Sequence, residues 1–438
     1  MDKVLIVGSW AKEQATIENI VNIAGSKAYV YMDTPNPGIM ALVNDYRIGD
    51  LKDTKNIVDY ADSISADLVL VTTASPLAVG LVDSLREKGI KVFGPTRSAA
   101  RLEYDKAFAR KLMAKYCPEA IPEFGIFDCA EATINFAKEH GWQVAVKYIG
   151  LAEGLGVKVF GDQLKSEKEV KNHICRVLAS DKNDKARVMV EEHIRGEEFT
   201  VQCLVDKDNI IPTPAVQDFK KLLPGDKGPN TASMGSYADR GMLLPFMSSS
   251  DYDNAIKIIK ATLKGFHDQT GDTCQGFLYG QFMLTEKSIK LIEYNFRPGD
   301  PEWVNTLLTF KGSLLDAVGA LIEGRPYEWR FSGKASVCKY IVPKDYPEKL
   351  NSVLPVSFDP DLIQKIGAHI YYSCGRGEDG VLYPGTERGI AIAASADTVE
   401  KAAGIVEEAI STVEGEFAYR SDIGSTGQIE QKRVKTRK

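Results

Sequence analysis

Four short apolar runs, KVLIVG (3–8), KAYVYM (27–32), ADLVLV (66–71) and IKVFG (90–94), recur through the first hundred residues with helix-patterned stretches between them. Strands that are apolar throughout are buried on both faces, and strand–helix alternation at this spacing predicts a parallel, doubly wound sheet. Ligands of such sheets enter the crevice at the carboxyl ends of the strands. The loops expected there carry Gly8, Asn36-Pro37-Gly38 and Pro76. Gly8 follows the first strand, where a phosphate or carboxylate often meets a helix N-terminus. The usual glycine cluster is missing, however, and the loop reads GSWAKEQ.

At 438 residues the chain exceeds one ordinary core and suggests roughly two to four domains. Its composition, 44% hydrophobic and 26% charged, is that of a soluble globular protein. No apolar run reaches about 18 residues, so no membrane span is expected, and the N-terminus lacks the basic leader and cleavage site of a secretion signal. The seven cysteines are scattered and form no C-x-x-C pair, which argues against zinc and a disulfide framework and for the cytoplasm. A net charge of −6 gives no hint of nucleic acid. The terminal KRVKTRK reads as a frayed basic tail. The partners expected are small molecules, with the chain a monomer or small homo-oligomer.

A helical stretch, EYDKAFARKLMAKY, starts at Glu103 and carries Lys106 near its start. A compact α+β region follows over about 124–195, centred on VAVKYIGLAEGLGVKVF. There Lys147 ends one strand, and a loop with glycines at 150, 154 and 156 leads to the next. Such a loop can fold over polyphosphate through its backbone N–H groups, although a Gly-rich hairpin alone is more often just a turn. VMVEEHIRGEEFTVQCLV (188–205) reads as two strands joined by a short acidic turn. Residues 212–237 are polar, with Gly, Pro and Asn, and loops of that length without regular structure are uncommon unless functional. A helix over 251–270, two further strands and a last α+β unit (331–438) complete the chain.

The segment LIEYNFRPGDPE (291–302) ends a strand and offers a carboxylate, an amide and a guanidinium on alternate residues, Glu293, Asn295 and Arg297. Period-2 spacing puts them on one face. Two such oxygens suit Mg²⁺, a hard cation that shares its oxygen ligands with phosphates. A guanidinium beside them can hold a phosphoryl oxygen or a developing oxyanion. The plainer reading is a half-exposed strand with a solvated polar face and an ion pair.

The order of these pieces resembles the ATP-grasp superfamily and, more narrowly, the phosphoribosylamine–glycine ligase family. The resemblance rests on GPTRSAARLEYDKAFARKLM (94–113), EEHIRGEEF (191–199), AVQDFKKLLPGDKGPNTASMGSY (215–237), EYNFRPGDPE (293–302) and YRSDIG (419–424), in order and without large gaps. It implies a multidomain α/β and α+β chain. An N-terminal Rossmann-like (biotin-carboxylase-like) domain would span 1–102, an ATP-grasp domain 103–330 with its lid at about 124–195, and a C-terminal α+β domain 331–438. By resemblance, Lys106 and Lys147 hold phosphates of ATP, with Gly154 and Gly156 in the lid loop. Glu191, Glu192, His193 and Ile194 line adenine, and Glu198 takes the ribose hydroxyls. Glu293 and Asn295 hold Mg²⁺ (or Mn²⁺), and Arg297 faces the transferred phosphoryl group. Asp218, Lys220, Asn230, Met234 and the turn Gly299, Asp300, Pro301, Glu302 belong to the acceptor site, while Gly8, Asn36 and Pro37 line the N-terminal crevice. The implied reaction joins glycine to 5-phosphoribosylamine, with ATP, through an acyl phosphate.

The sequence departs from the family pattern in that crevice and in the lid. The first loop usually reads Arg-Glu-His where Lys12-Glu13-Gln14 stands. An acidic residue expected after the third apolar run is replaced within Thr72-Thr73-Ala74-Ser75-Pro76. The lid loop carries Leu155 between its glycines in place of Lys, and Gln281 stands where other ATP-grasp families often place a further metal carboxylate. Two alternatives follow: an ATP-grasp ligase for a different small acid and amine, or a nucleotide-binding protein without turnover.

Overall fold

The computed structural model describes residues 1–149, 156–179, 187–347, 354–373, 375–378, 380–384 and 387–436. Gly154 and Leu155 of the lid loop lie outside them. Strands Lys3–Val7, Lys27–Met32, Asp45–Ile48, Leu68–Val71 and Val92–Phe93 form one parallel sheet in the spatial order third, second, first, fourth, fifth. Strand order reverses between the first and the fourth, so the crevice opens between the loops at Gly8 and Thr72. Val4 to Val7 and Leu68 to Val71 are fully buried, as their unbroken apolar runs require. Asp45–Ile48 carries no such signal, because it is an exposed edge strand.

The helical stretch expected from Glu103 is broken at Asp105. Its non-helical backbone (φ −112°, ψ 81°) ends one helix at Tyr104, and its carboxylate caps the next, Lys106–Tyr116, by accepting the Phe108 N–H at 2.9 Å. Strands Phe124–Phe127, Val188–Glu192, Val144–Tyr148 and Val157–Val159 form a separate antiparallel sheet with its own apolar core under helices Ala130–Glu139 and Glu167–Leu178. A third sheet pairs Asn209–Pro212, Glu197–Asp206, Gln275–Leu284 and Ile289–Asn295. The strands on either side of residues 193–196 therefore do not form a hairpin. The chain crosses there from one sheet to another.

The polar segment 212–237 is more regular than its composition suggests. It contains strand Gln217–Asp218, a hairpin Lys221–Leu223/Lys227–Asn230 and strand Gly235–Ala238. Gly235–Ala238 pairs with Ala335–Pro343, a partner too distant in sequence to leave a local signal. The sheet continues through Ile390–Ala396 to His369–Tyr372. Only glycine fits at 235, where φ is +152° and a Cβ would lie 2.3 Å from the Cys338 carbonyl oxygen. The acceptor segment and the last α+β unit thus share one sheet across residue 330.

The terminal basic segment is not frayed at Lys432. It belongs to helix Thr426–Thr436, and Lys432 is buried, 3.2 Å from the Glu197 carboxylate and 4.6 Å from the Phe219 ring centre.

Helix Ala11–Asn22 joins the first and last units. Gln14 accepts the Tyr372 N–H at 2.8 Å, and its Nε2 donates to the Ile370 carbonyl at 3.0 Å and to Glu18 at 2.9 Å. Burial at this junction pushes the Glu18 carboxyl up to about 7. The folded state therefore favours the protonated form, and the stability this contributes is full below 4.5 and lost as pH rises through about 7. Glu18→Gln is expected to melt above wild type on the alkaline side of 7 and to lose that advantage on the acidic side. A melting difference independent of pH would contradict this.

Candidate active site

Lys106, at the first position of its helix, faces the same cleft as Lys147 and Glu293. Arg110 lies one helical turn on. Its Nε reaches Glu191 Oε1 at 2.6 Å, and its other nitrogens donate to the carbonyls of Leu291 (3.1 Å) and Ile292 (2.8 Å). Lys147 Nζ lies 2.6 Å from the second Glu191 oxygen. All three side chains are buried. Burial works against the Glu191 carboxylate, but the two cations outweigh it and hold its pKa low. Burial outweighs Glu191 at Lys147 and lowers that ammonium. This triad seats the small sheet on the central one beside the cleft.

Beyond Glu191 the chain crosses between sheets. The N–H groups of Glu192 and His193 are taken by the carbonyls of Glu123 (2.9 Å) and Gln143 (3.0 Å). Ile194 is half-buried, and Glu192 is exposed. Gly156 precedes Val157–Val159 with open space around its Cα.

Glu293 and Asn295 end their strand, and Arg297 lies just past it. Arg297 Nη2 donates to Asn295 Oδ1 at 3.2 Å and Nη1 to the Pro298 carbonyl at 3.0 Å, while Nε lies 3.4 Å from Glu103. Burial would raise the Glu293 pKa, but Lys220, Lys106, Lys147 and Arg297 together hold it below the usual range. No cluster of three or more His, Cys, Asp or Glu side chains suited to a metal occurs among the described residues. One carboxylate and one amide oxygen fit a hard cation that takes its other oxygens from phosphate and water. Gln281, opposite Glu293 in the strand pairing, donates to Glu198 at 2.6 Å.

Of the residues that the resemblance assigns to the acceptor, Asp218 and Glu302 gather with Glu198 around Lys220. Its ammonium lies 3.5 Å from Glu198. Burial works against it, but Glu198, Asp218, Glu293 and Glu302 outweigh burial and raise its pKa. Asp218 is buried, with Oδ1 unpartnered among the described residues. Burial, reinforced by Glu302 and Glu198 against Lys220, pushes its carboxyl up to about 7. Glu302 accepts the Tyr279 hydroxyl at 2.9 Å, and the Gly299 N–H donates to Gln202 at 2.7 Å. Asp300 accepts the Tyr340 hydroxyl and lies 3.6 Å from Arg388. Arg388 also donates to the carbonyls of Ala232 (2.9 Å), Ser233 (3.3 Å) and Asp300 (3.0 Å). Pro301 caps helix Glu302–Thr309. Met234 is fully buried in the shared core, with its backbone bonded to Phe219 and Tyr340, while Asn230 is exposed on the hairpin.

The N-terminal crevice is filled from within. Glu13 accepts the Trp10 N–H at 2.8 Å and pairs with Lys12, which donates to the Thr72 carbonyl at 2.8 Å. The N-terminus of helix Ala11–Asn22 thus has its own carboxylate. Gly8 has φ +150°, and a Cβ there would lie 2.6 Å from Glu13 Oε1, so internal packing already requires glycine. Asn36 accepts the Ile39 N–H at 3.0 Å and donates to the carbonyls of Ser9 (2.8 Å) and Tyr372 (2.7 Å). Pro37 opens the short helix Pro37–Met40 beside it.

Comparison with known proteins matches residues 2–103 to the phosphoribosylglycinamide synthetase N domain and 104–303 to its ATP-grasp (A) domain. A phosphoribosylamine–glycine ligase of Methanopyrus kandleri is 41% identical over 100% of this chain and 99% of the relative. The chain belongs to the phosphoribosylamine–glycine ligase family. Its counterpart in Methanobrevibacter smithii is 39% identical over 98% of both chains. In fold, this ligase matches the crystal structure of phosphoribosylamine–glycine ligase from Thermotoga maritima, with TM-score 0.81 at 23% identity over 96% of this chain and 100% of that one. The biotin carboxylase domain of Hydrogenobacter thermophilus 2-oxoglutarate carboxylase matches with TM-score 0.71 at 17% identity, over 95% and 91%. The protein is therefore an ATP-dependent ligase of the ATP-grasp fold.

Several residues that the structure adds to this cluster carry little mark in the sequence. Arg110 had a usable signal, since it stands four residues after Lys106 on one helix and so shares its face. Glu103, Tyr279, Gln202, Tyr340 and Arg388 had none, because their partners lie far along the chain.

Proposed function

We propose that the protein joins glycine to 5-phosphoribosylamine through glycyl phosphate, giving glycinamide ribonucleotide, ADP and phosphate in the cytoplasm. The observation that carries this reading is the meeting of two groups of side chains at Glu293. Lys106, Lys147 and Arg297 bring positive charge to its phosphate side. Lys220, among Glu198, Asp218 and Glu302, stands on its acceptor side. A carboxylate resists amine attack because oxide is a poor leaving group, and phosphorylation makes the leaving group phosphate. Phosphoryl transfer needs alignment and charge neutralisation more than a protein nucleophile.

In this reading Lys106 and Lys147 bind the ATP phosphates, and Arg297 holds the phosphoryl group in transfer. Lys220 orients the glycine carboxylate. Asp218, with its raised pKa, takes the proton lost by the attacking amine. Glu293 and Asn295 would hold Mg²⁺ or Mn²⁺, which neutralises phosphate charge when bound. Asn230, Asp300 and Glu302 enclose the acceptor side, Met234 and Pro301 support it from the core, and Gly8, Asn36 and Pro37 shape the crevice through their packing.

A different amine is the second reading, motivated by the Glu13 carboxylate that already caps the helix at the crevice. The deciding measurement is ADP release with Mg-ATP and glycine, with and without phosphoribosylamine generated in the assay. Release that requires both, with glycinamide ribonucleotide appearing in step, is the expected result. ATP turnover that ignores glycine would sink the proposal, and ATP binding without release would favour the second reading.

A further inference from the structure

Lys221 joins three parts of the molecule. Its backbone begins the hairpin Lys221–Leu223/Lys227–Asn230, which is solvent-exposed from Leu223 to Asn230. Its carbonyl accepts from Arg420 Nη1 at 3.1 Å. Its ammonium reaches the lid, where both Asp162 carboxylate oxygens lie 2.5 Å away. Arg420 is fully buried and fixed by Asp422 (2.9 and 2.7 Å) and by Asp226 of the hairpin (2.8 Å). The Gly225 N–H adds a bond to Asp422 at 2.9 Å. The C-terminal unit therefore anchors the hairpin on one side, and Lys221 carries the connection to the lid on the other.

Asp162 lies in the turn after Val157–Val159, the strand next to Gly156. The Asp162 N–H donates to the Val159 carbonyl at 3.2 Å and the Gly161 N–H to the Leu164 carbonyl at 2.8 Å, so Asp162 moves with that strand. Lys220, the neighbour of Lys221, stands in the acceptor cluster. An ion pair at a partly exposed site adds little stability, so what a two-oxygen contact between separate sheets can supply is position.

We propose that Lys221 is a positioning residue that latches the lid to the docked acceptor hairpin, so that phosphoryl transfer and amine attack occur in one closed state. The inference rests on the acyl phosphate reading above. With the latch open, water attacks the acyl carbon, the bond to the phosphate oxygen breaks, and glycine and inorganic phosphate leave. One ATP is then consumed without product.

The test uses the full chain with Mg-ATP, glycine and phosphoribosylamine. In Lys221→Met and in Asp162→Asn, ADP formed per product is expected to rise at least about twofold above wild type as water gains access. Lys221→Arg should restore the ratio, and the double variant should be no worse than either single one. An unchanged ratio in both single variants, in proteins that melt like wild type, overturns the latch. A second readout uses Mg-ATP alone, through amide exchange in Val157–Val159. Protection gained by wild type and lost in Lys221→Met supports the latch, and equal protection overturns it. If wild type makes no product from this pair, the amide-forming reading fails, and the exchange result still decides the latch.

Discussion

Replacing Arg297 by alanine is expected to lower turnover at least about 10²-fold while leaving the fold intact, the scale for losing one preorganised electrostatic stabiliser. The guanidinium is held from three sides, by Asn295 Oδ1, the Pro298 carbonyl and the Glu103 carboxylate. Burial disfavours its charge, but Glu103, Tyr279, Glu302 and Glu293 outweigh burial, so it stays cationic where the proposed reading puts the phosphoryl group in transfer. The fold should tolerate the loss because Glu103 has an outlet. Burial already raises its pKa, and one of its oxygens keeps the Phe296 N–H at 2.8 Å, so it can take a proton when its partner disappears. Steady-state turnover and ATP affinity, measured on a variant with an unchanged melting temperature, separate the roles. Near-normal turnover would break the assignment.

The second large effect is structural. Glu191→Ala leaves Arg110 and Lys147 buried and unpaired to each other's cost, and breaking a buried ion pair by removing one partner typically costs about 3–5 kcal/mol. The loss should be local, because the triad seats the small sheet on helix Lys106–Tyr116. Native-state amide exchange in Val188–Glu192 should show it as faster opening. An exchange rate close to wild type would mean that the two cations find other partners in that cleft. Replacing Glu191 together with Arg110 by methionine should destabilise less than the two single changes summed, since both charges then go.

The fold was legible where local chemistry decides it. The buried parallel strands announced themselves as unbroken apolar runs, and the carboxylate, amide and guanidinium at 293, 295 and 297 stood out by their alternate spacing. The sequence was silent where distant partners decide. The edge strand Asp45–Ile48 has no buried face to pattern it. Gly235–Ala238 is a strand because Ala335–Pro343 lies beside it along its whole length and Gln217–Asp218 pairs on its other side. Lys432 looked like part of a frayed tail because Glu197 and Phe219, which bury it, are far along the chain. In the crevice, the exchange of a family His and Arg for Gln14 and Lys12 suggested a changed ligand surface. In the structure, both side chains are committed to protein groups, Gln14 to Glu18 and strand His369–Tyr372, and Lys12 to Glu13 and Thr72.

The sheet shared across residue 330 ties part of the site to strands that come late in the chain. Lys106, Lys147 and Glu293, to which the proposed reading gives the phosphates, sit on elements complete before that residue. Strand Gly235–Ala238 lies between Gln217–Asp218, which comes before that residue, and Ala335–Pro343, which comes after it. In the proposed reading, the acceptor side therefore draws on elements from both sides of that residue, whereas the phosphate side draws only on the earlier ones. On that reading, a chimera that exchanges only the residues after 330 would import a new neighbour for Gly235–Ala238 on the amine side and leave the nucleotide side on its original support. The acceptor can then diversify through the end of the gene without retuning the energy source.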